Sequence, residues 1–386
     1  MALLLKIVAA DVVVIGAGPA GLAVASSLHR RRIPYTVLER STSIGSSWQS
    51  RYDRLRLHTV RWLSGLPHSS IPRSYGRWVA RDDFVRYLRD YARRFDIRPE
   101  FGVDIRRIDR VDGGWQLQTS AGERTAGAVV VATGYTNVPI TPVWPGASTF
   151  TGELLHSNEY REPTAYSGQR VLVVGAGNSA AEIAVQLADC KVEVALSVRT
   201  PPNIVRRDTL GVPSQLFGIA LRRFPEPAIN TVLRLLRRIS VPDLSGYGLP
   251  APANDGYSQF LRTGTVPVLD HGFVKSVREH RISIVPAIDH FDGDRVVLTD
   301  GSLWRPDTII CATGFRPGLD DMLGHLGVLD ASGVPRVHGA DALPQAPGLY
   351  FVGIDVRLAG LLRDIGIEAR GVGQALAEQA PERRSG

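Results

Sequence analysis

Short, wholly apolar runs alternate along the chain with glycine-rich breaks. Val12 to Ile15 is the first such run; Gly16-Ala17-Gly18-Pro19-Ala20-Gly21 follows, and apolar positions resume from Leu22 towards Arg30. Apolar runs bounded by turn residues predict strands buried on both faces, as in a parallel sheet, and the longer segment after the turn predicts a helix. The same order returns later as Val171 to Val174, Gly175-Ala176-Gly177-Asn178-Ser179-Ala180 and a helix through Leu187. Each copy then reaches a short segment beside a turn, as in a β-meander: Trp115 to Thr119 after Asp112-Gly113-Gly114, and Arg295 to Thr299 before Asp300-Gly301. Each closes on an apolar stretch ending in Ala-Thr-Gly, Val129 to Gly134 and Thr308 to Gly314.

Such a duplication predicts an α/β fold of two Rossmann-like dinucleotide-binding domains, each with a small β-meander. The expected limits are residues 1–157 for the first part of one domain, 158–305 for a second domain inserted into it, and 306–386 for its return. Asp82 to Phe95 places Phe84, Leu88, Tyr91 and Phe95 at helical spacing and predicts a surface helix packed by one face. Residues 201–257 break the pattern with prolines and glycines around two amphipathic pieces, Ser214 to Phe224 and Pro227 to Ile239. Arg222, Arg223, Arg237 and Arg238 edge their apolar faces, so a membrane-surface helix is one reading. A lid over a substrate pocket is preferred, because the segment is an insertion into a nucleotide domain.

Composition refines this picture. At 386 residues and 44% hydrophobic, the chain has material for two or three domains. The net charge of +7 is carried by arginine, since only Lys6, Lys191 and Lys275 are lysines. The arginines are scattered rather than striped, so no nucleic acid partner is expected, and part of the excess is assigned to cofactor phosphates. Cys190 and Cys311 stand far apart and exclude a Cys-x-x-Cys redox pair. Lys6 and Asp11 interrupt the apolar start and the end from Gln379 is polar, so a cytoplasmic enzyme without a membrane anchor is expected. No metal site is expected.

The first glycine turn carries nucleotide chemistry. Gly16 permits the tight turn, Gly18 lets backbone approach a pyrophosphate, Gly21 lets helix pack on strand, and Ala20 lies at the helix start whose partial positive charge faces phosphate. Glu39 ends the next strand 23 residues after Gly16, where a carboxylate accepts from ribose hydroxyls; this favours FAD or NAD over NADP. In the second turn Gly175, Gly177 and Ser179 lead to Ala180, and the following strand ends in Arg199. A guanidinium there suits a 2′-phosphate and hence NADPH, with Arg206 and Arg207 as further candidates; the plain alternative is a solvated strand end.

Between the copies, Phe150-Thr151-Gly152-Glu153-Leu154-Leu155-His156-Ser157-Asn158-Glu159-Tyr160 has the spacing F-x-G-x-x-x-H-x-x-x-Y. This resembles the identifying motif of class B flavin-containing monooxygenases, and the resemblance extends over nearly the whole chain. Gly45-Ser46-Ser47-Trp48 resembles the family's G-G-x-W flavin segment with one glycine replaced. Tyr52 to His58, Gly264 to Asp270 and Ala312-Thr313-Gly314-Phe315-Arg316 resemble the YUCCA-type branch.

The resemblance implies that NADPH reduces FAD and that a flavin hydroperoxide then oxygenates a small organic substrate, by oxidative decarboxylation of a 2-oxo acid or by N- or S-oxygenation. Such a species survives only where water and acids are excluded. The segment Phe150 to Tyr160 is expected as an interdomain linker. His156 reads as a hydrogen-bonded linker histidine more readily than as a catalyst, and Tyr160 stands where Baeyer-Villiger relatives carry tryptophan.

The candidate catalytic residues are His58 and Asn178. His58 falls near the point where N-oxygenating relatives place asparagine, and a packed polar residue is the competing reading. Asn178 matches the family's G-N-S segment, with a helix cap as the plain alternative. Cofactor-binding candidates also include Arg40 beside Glu39, Ser47, Trp48, Val103, Thr133, Gly134, Thr313, Gly314 and, in the strand Gly348 to Ile354, Gly353. Asp355 replaces the threonine usual in the branch, and a helix over Gly360 to Ala377 should follow.

Expected partners are the organic substrate and dioxygen, with a homodimer left open. An NADPH oxidase producing hydrogen peroxide is the nearest alternative. A disulfide reductase of the same architecture lacks its cysteines here. A nucleotide-sensing protein would not need the Phe150 to Tyr160 motif.

Overall fold

The computed structural model describes residues 12–209, 211–221, 229–231, 241–253, 256–355 and 359–379. The apolar N-terminal run, Arg222, Arg223, Arg237 and Arg238, nearly all of the second amphipathic piece and the polar end from residue 380 lie outside these residues. The chain divides into a first unit, Met1–Ser50 with Thr59–Val138 and Arg316–Gly386, and a second, Arg51–His58 with Pro139–Phe315.

In the first unit, β1 (Val12–Ile15) is buried along its length. Helix α1 (Pro19–Arg30) starts on a proline, whose missing N–H costs nothing in a first turn, and buries Ala20 through Leu28. Strand β2 (Tyr35–Glu39) pairs in parallel with β1, Ile15 opposite Leu38. Helix α2 (Arg81–Arg94) has Asp82 and Asp83 in its first turn and Arg93 and Arg94 in its last, charges that complement the helix dipole, and buries Phe84, Leu88 and Tyr91. After β3 (Glu100–Phe101), the meander β4 (Ile105–Val111), β5 (Gly114–Thr119) and β6 (Gly122–Ala126) is antiparallel, and β7 (Ala128–Val131) returns to the main sheet beside β1.

The second unit repeats the scheme. Its strands are β8 (Glu153–His156), β9 (Arg170–Val174), β10 (Glu193–Ser197), the short parallel pair β11 (Ile204–Arg206) and β12 (Val268–Asp270), and β13 (Ile282–Val285). The meander β14 (Ile288–Asp292), β15 (Arg295–Leu298) and β16 (Leu303–Trp304) leads to β17 (Thr308–Cys311), and helix α3 (Asn178–Asp189) follows β9. The parallel sheet has the order β13-β10-β9-β17-β8. The segment expected as a linker therefore contains an edge strand, with His156 in register with Cys311. Only two of its four residues, Leu155 and His156, are buried, too short and mixed a run to announce a strand.

The chain completes the first unit with β18 (Leu349–Phe351) and α4 (Leu361–Gln379), giving the parallel order β18-β7-β1-β2-β3. Trp115, Ile108 and Leu117 of the meander fill a core with Val129, Val131 and Phe351. In the second unit α3 and β9 share a core with Tyr52, Tyr160 and Tyr166. The first amphipathic piece of the insertion includes a helix, Ser214–Leu221. Among the described residues no helix is long and apolar enough to cross a membrane.

The two turns differ in tightness. A Cβ on Gly21 would lie 1.8 Å from the Gly16 carbonyl oxygen, whereas the matching position of the second turn carries Ala180, itself buried. Gly21→Ala should destabilise by about 1–3 kcal/mol through overpacking. Ala180→Gly should cost about 0.5–1 kcal/mol through backbone entropy. Denaturant titration of both variants checks this.

Candidate active site

The first turn is built by exclusion. Gly16 has φ +108°, and a Cβ there would meet Ala132 O at 2.7 Å, while around a Cβ on Gly18 there is nothing within 4 Å. The backbone is thus closed below and open at Gly18, where a phosphate needs to approach. Glu39, 8% exposed, braces the turn: Oε2 accepts from Ala17 N–H at 2.7 Å and Oε1 from Ser41 N–H at 2.8 Å. The Val103 N–H donates to Glu39 O at 3.0 Å. Beside Ala132, Thr133 has a buried Oγ1 without a hydrogen-bond partner. Gly134 has φ +77°, and Gly353 has φ +73° and closes on Ala20, where an added Cβ would come within 2.8 Å of the Ala20 Cβ. Arg40 bonds Asn137, whose amide also holds the Thr133 and Gly134 carbonyls. Ser47 is exposed, and Trp48 stands edge-on to Phe84 at 4.7 Å.

The second turn repeats the geometry. Gly175 has φ +132° with Ala312 O at 2.4 Å from an added Cβ, and Gly177 is open. Ser179 is half-buried and Ala180 buried. Arg199 is exposed, with no partner among the described residues, and Arg206 is exposed on β11. Arg207, a further candidate from the sequence, has its Nη1 2.6 Å from His271 Nδ1 and 3.3 Å from Nε2. Thr313 Oγ1 donates to Ile140 O. His156 Nε2 lies 3.1 Å from Gly314 O, and Nδ1 meets both the Asn158 N–H at 3.2 Å and Asn158 Oδ1 at 3.1 Å. Both ring nitrogens are engaged, and burial lowers the pKa of His156 although these two acceptors oppose it.

Helix α3 unites three of the segments noted in the sequence. Asn178, Glu182 and Gln186 recur every fourth residue and form a polar stripe along the helix. The Asn178 amide donates to Pro267 O at 3.2 Å and accepts from Leu269 N–H at 2.8 Å; it is the first helical residue and not a cap. Gln186 Oε1 receives the hydroxyl of Tyr160 at 3.4 Å. Glu182, only 12% exposed, accepts the Tyr52 hydroxyl on Oε2 at 2.5 Å and meets His58 Nε2 on Oε1 at 2.8 Å. His271 Nε2 stands 3.6 Å from the same Oε1.

A carboxylate in such a place must be paired. Burial penalises its charge, but His58, Tyr52 and His271 together outweigh that, so the pKa of Glu182 is lowered. Burial also disfavours charge on His58, yet Glu182 prevails and the pKa of His58 is raised. Burial, with Arg207 and His58 nearby, brings His271 down to about 4 in spite of Glu182. Glu182 and His271 escaped the sequence reading. Their signals were a lone acid four residues beyond Asn178 and a histidine immediately after the Gly264 to Asp270 segment.

These two turns on parallel sheets have the geometry of dinucleotide-binding cradles. Residues 13–212 match the family described as pyridine nucleotide-disulphide oxidoreductase. Over 384 residues, 96% of this chain and 91% of the relative, the sequence is 34% identical to "Probable indole-3-pyruvate monooxygenase YUCCA9" of Arabidopsis thaliana. It is 35% identical over 369 residues, 91% and 87% of the two chains, to indole-3-pyruvate monooxygenase YUCCA8 of Oryza sativa subsp. indica. The fold matches a flavin-containing monooxygenase from Stenotrophomonas maltophilia at TM-score 0.73 and 24% identity, covering 96% of this chain and 98% of that one. The chain belongs to the class B flavin monooxygenases of YUCCA type, and it is an FAD-containing, NADPH-dependent monooxygenase.

The cluster sets a pH dependence. Between pH 6.5, the ordinary histidine value, and about 4, the unfolded chain protonates the residue equivalent to His271 while the folded chain does not, so stability falls with acidification. His58 has the opposite sign: its contribution is complete below 6.5 and is lost as pH rises through its raised folded value. Thermal melts from pH 4 to 9 should therefore peak near 6.5, with the acid limb flattened in His271→Asn. A wild-type limb that His271→Asn leaves unchanged would contradict this assignment.

Proposed function

We propose that the first turn holds FAD, the second holds NADPH, and the substrate is a small 2-oxo acid undergoing oxidative decarboxylation. The observation that carries this reading is the pairing of two open glycine cradles with unlike strand ends, Glu39 after the first and the exposed Arg199 after the second. The names of the relatives, indole-3-pyruvate monooxygenases, support the substrate class.

When bound, FAD supplies the two-electron reduction of dioxygen, with NADPH as hydride source. The protein's residues do the rest. Glu39 holds the Ala17 and Ser41 amides so that the turn keeps its shape. Arg199 solvates a 2′-phosphate from the strand end. Asn178 acts by position, tying the start of α3 to the backbone at Pro267 and Leu269. His58 carries a proton on Nε2 towards Glu182, while a third of its side chain stays open to a reactant.

The balance is 2-oxo acid, dioxygen, NADPH and a proton giving the carboxylic acid one carbon shorter, carbon dioxide, NADP⁺ and water. The purified enzyme given NADPH and indole-3-pyruvate should release one carbon dioxide per NADPH oxidised, with little peroxide. Release of peroxide alone would make it an oxidase, and turnover of amines or sulfides instead would redirect the substrate class. Arg199→Ala should raise the KM for NADPH by about 10-fold, the loss of one charge-assisted contact, and leave that for NADH unchanged. Equal effects on both would remove Arg199 from phosphate recognition.

A further inference from the structure

The second unit gathers two histidines, a tyrosine and an arginine around one buried carboxylate, an arrangement that neither nucleotide binding nor packing requires. Glu182 Oε1 is shared by His58 Nε2 at 2.8 Å and His271 Nε2 at 3.6 Å, and Oε2 is taken by Tyr52. The other nitrogen of His271, Nδ1, lies 2.6 Å from Arg207 Nη1. The same Nη1 also lies 3.3 Å from Nε2, and a guanidinium has only donors, so its charge beside both ring nitrogens disfavours a second proton on His271. His58 is placed differently: Nε2 faces the carboxylate, and Nδ1 has no partner among the described residues on a side chain 34% exposed.

We propose that Glu182 is a positioning residue for His58, orienting the ring through Nε2 and joining it with His271 into one proton-sharing unit in which Arg207 assigns the proton to His58. Glu182 does this from α3, one turn beyond Asn178, so the helix that opens the nucleotide turn also sets the charge on His58. The placing of His58 at the reaction site rests on the function proposed above; the sharing of the proton does not.

The charged and titratable groups facing the unit are few. Tyr52 comes from the Arg51–His58 segment together with Arg51, whose charge acts on Tyr52; Asp270 and His271 come from the end of β12 and beyond, and Arg207 follows β11. Tyr160 acts weakly on Tyr52. The directions agree with the geometry: His58 is raised although burial opposes it, and His271 lies at about 4.

The test is histidine ring NMR on the flavin-loaded, ¹⁵N-histidine-labelled protein, with the two signals among nine histidines assigned through His58→Asn and His271→Asn. Wild type should show His58 titrating above 6.5 and His271 silent until about 4. Glu182→Gln should lower the His58 midpoint by at least about one unit, a tenfold change in its proton affinity. Arg207→Met, which leaves the carboxylate in place and serves even if Glu182→Gln does not fold, should raise the His271 midpoint from its wild-type value of about 4. A His58 midpoint unmoved by Glu182→Gln, or a His271 midpoint unmoved by Arg207→Met, would overturn the proposal. The alkaline limb of product formation should move with the His58 midpoint. If the ring signals shift and that limb does not, proton sharing stands and the placing of His58 at the reaction falls.

Discussion

A carboxylate buried on helix α3 dictates much of the second unit. Removing an ion from water costs several kcal/mol even after relaxation, so Glu182 requires compensating partners in place when the fold forms. Tyr52 and His58 supply them from one segment and His271 from another. With Asn178 and Gln186 on the same stripe, α3 becomes a polar spine within a core of leucine, isoleucine and valine, and each of its polar residues captures a different segment of chain. Breaking one partnership would leave an uncompensated charge or amide, which is why these contacts specify the arrangement more than they stabilise it.

The other governing constraint is steric and appears twice. At Gly16 and Gly175 the chain crosses directly under a carbonyl of the neighbouring strand in a conformation that favours glycine, whereas Gly18 and Gly177 keep ordinary extended dihedrals with open space around them. The first kind of glycine makes the turn, and the second leaves room for a ligand. The duplicated turns have diverged at the third position and at the strand ends, where Glu39 is folded back onto its own turn and Arg199 reaches into solvent.

The sequence made the sheets, turns and main helices legible because their signals are local: apolar runs of four or five, glycine at fixed offsets, and the heptad-like face of Arg81–Arg94. The site was legible only in pieces. Glu182 meets Tyr52 and His58 across 130 and 124 residues of chain, and no periodicity reports such a distance. Arg207 was a phosphate candidate because it is basic and lies beyond the right strand, whereas its contact with His271, 64 residues away, left no local signal. Strand β8 was hidden by its mixed polarity; its place at the sheet edge follows from pairing with β17, which only the folded chain supplies.

In the proposed function the two cradles hold the redox groups, and α3 orients His58 through Glu182. The central claim is that one atom of dioxygen enters the organic product. Turnover of indole-3-pyruvate with NADPH under ¹⁸O₂ in the presence of catalase, followed by mass spectrometry of the acid formed, tests this most directly. The expected result is one labelled oxygen in the acid and the other in water. Oxidation of NADPH without formation of acid, the dioxygen passing through hydrogen peroxide, would contradict it.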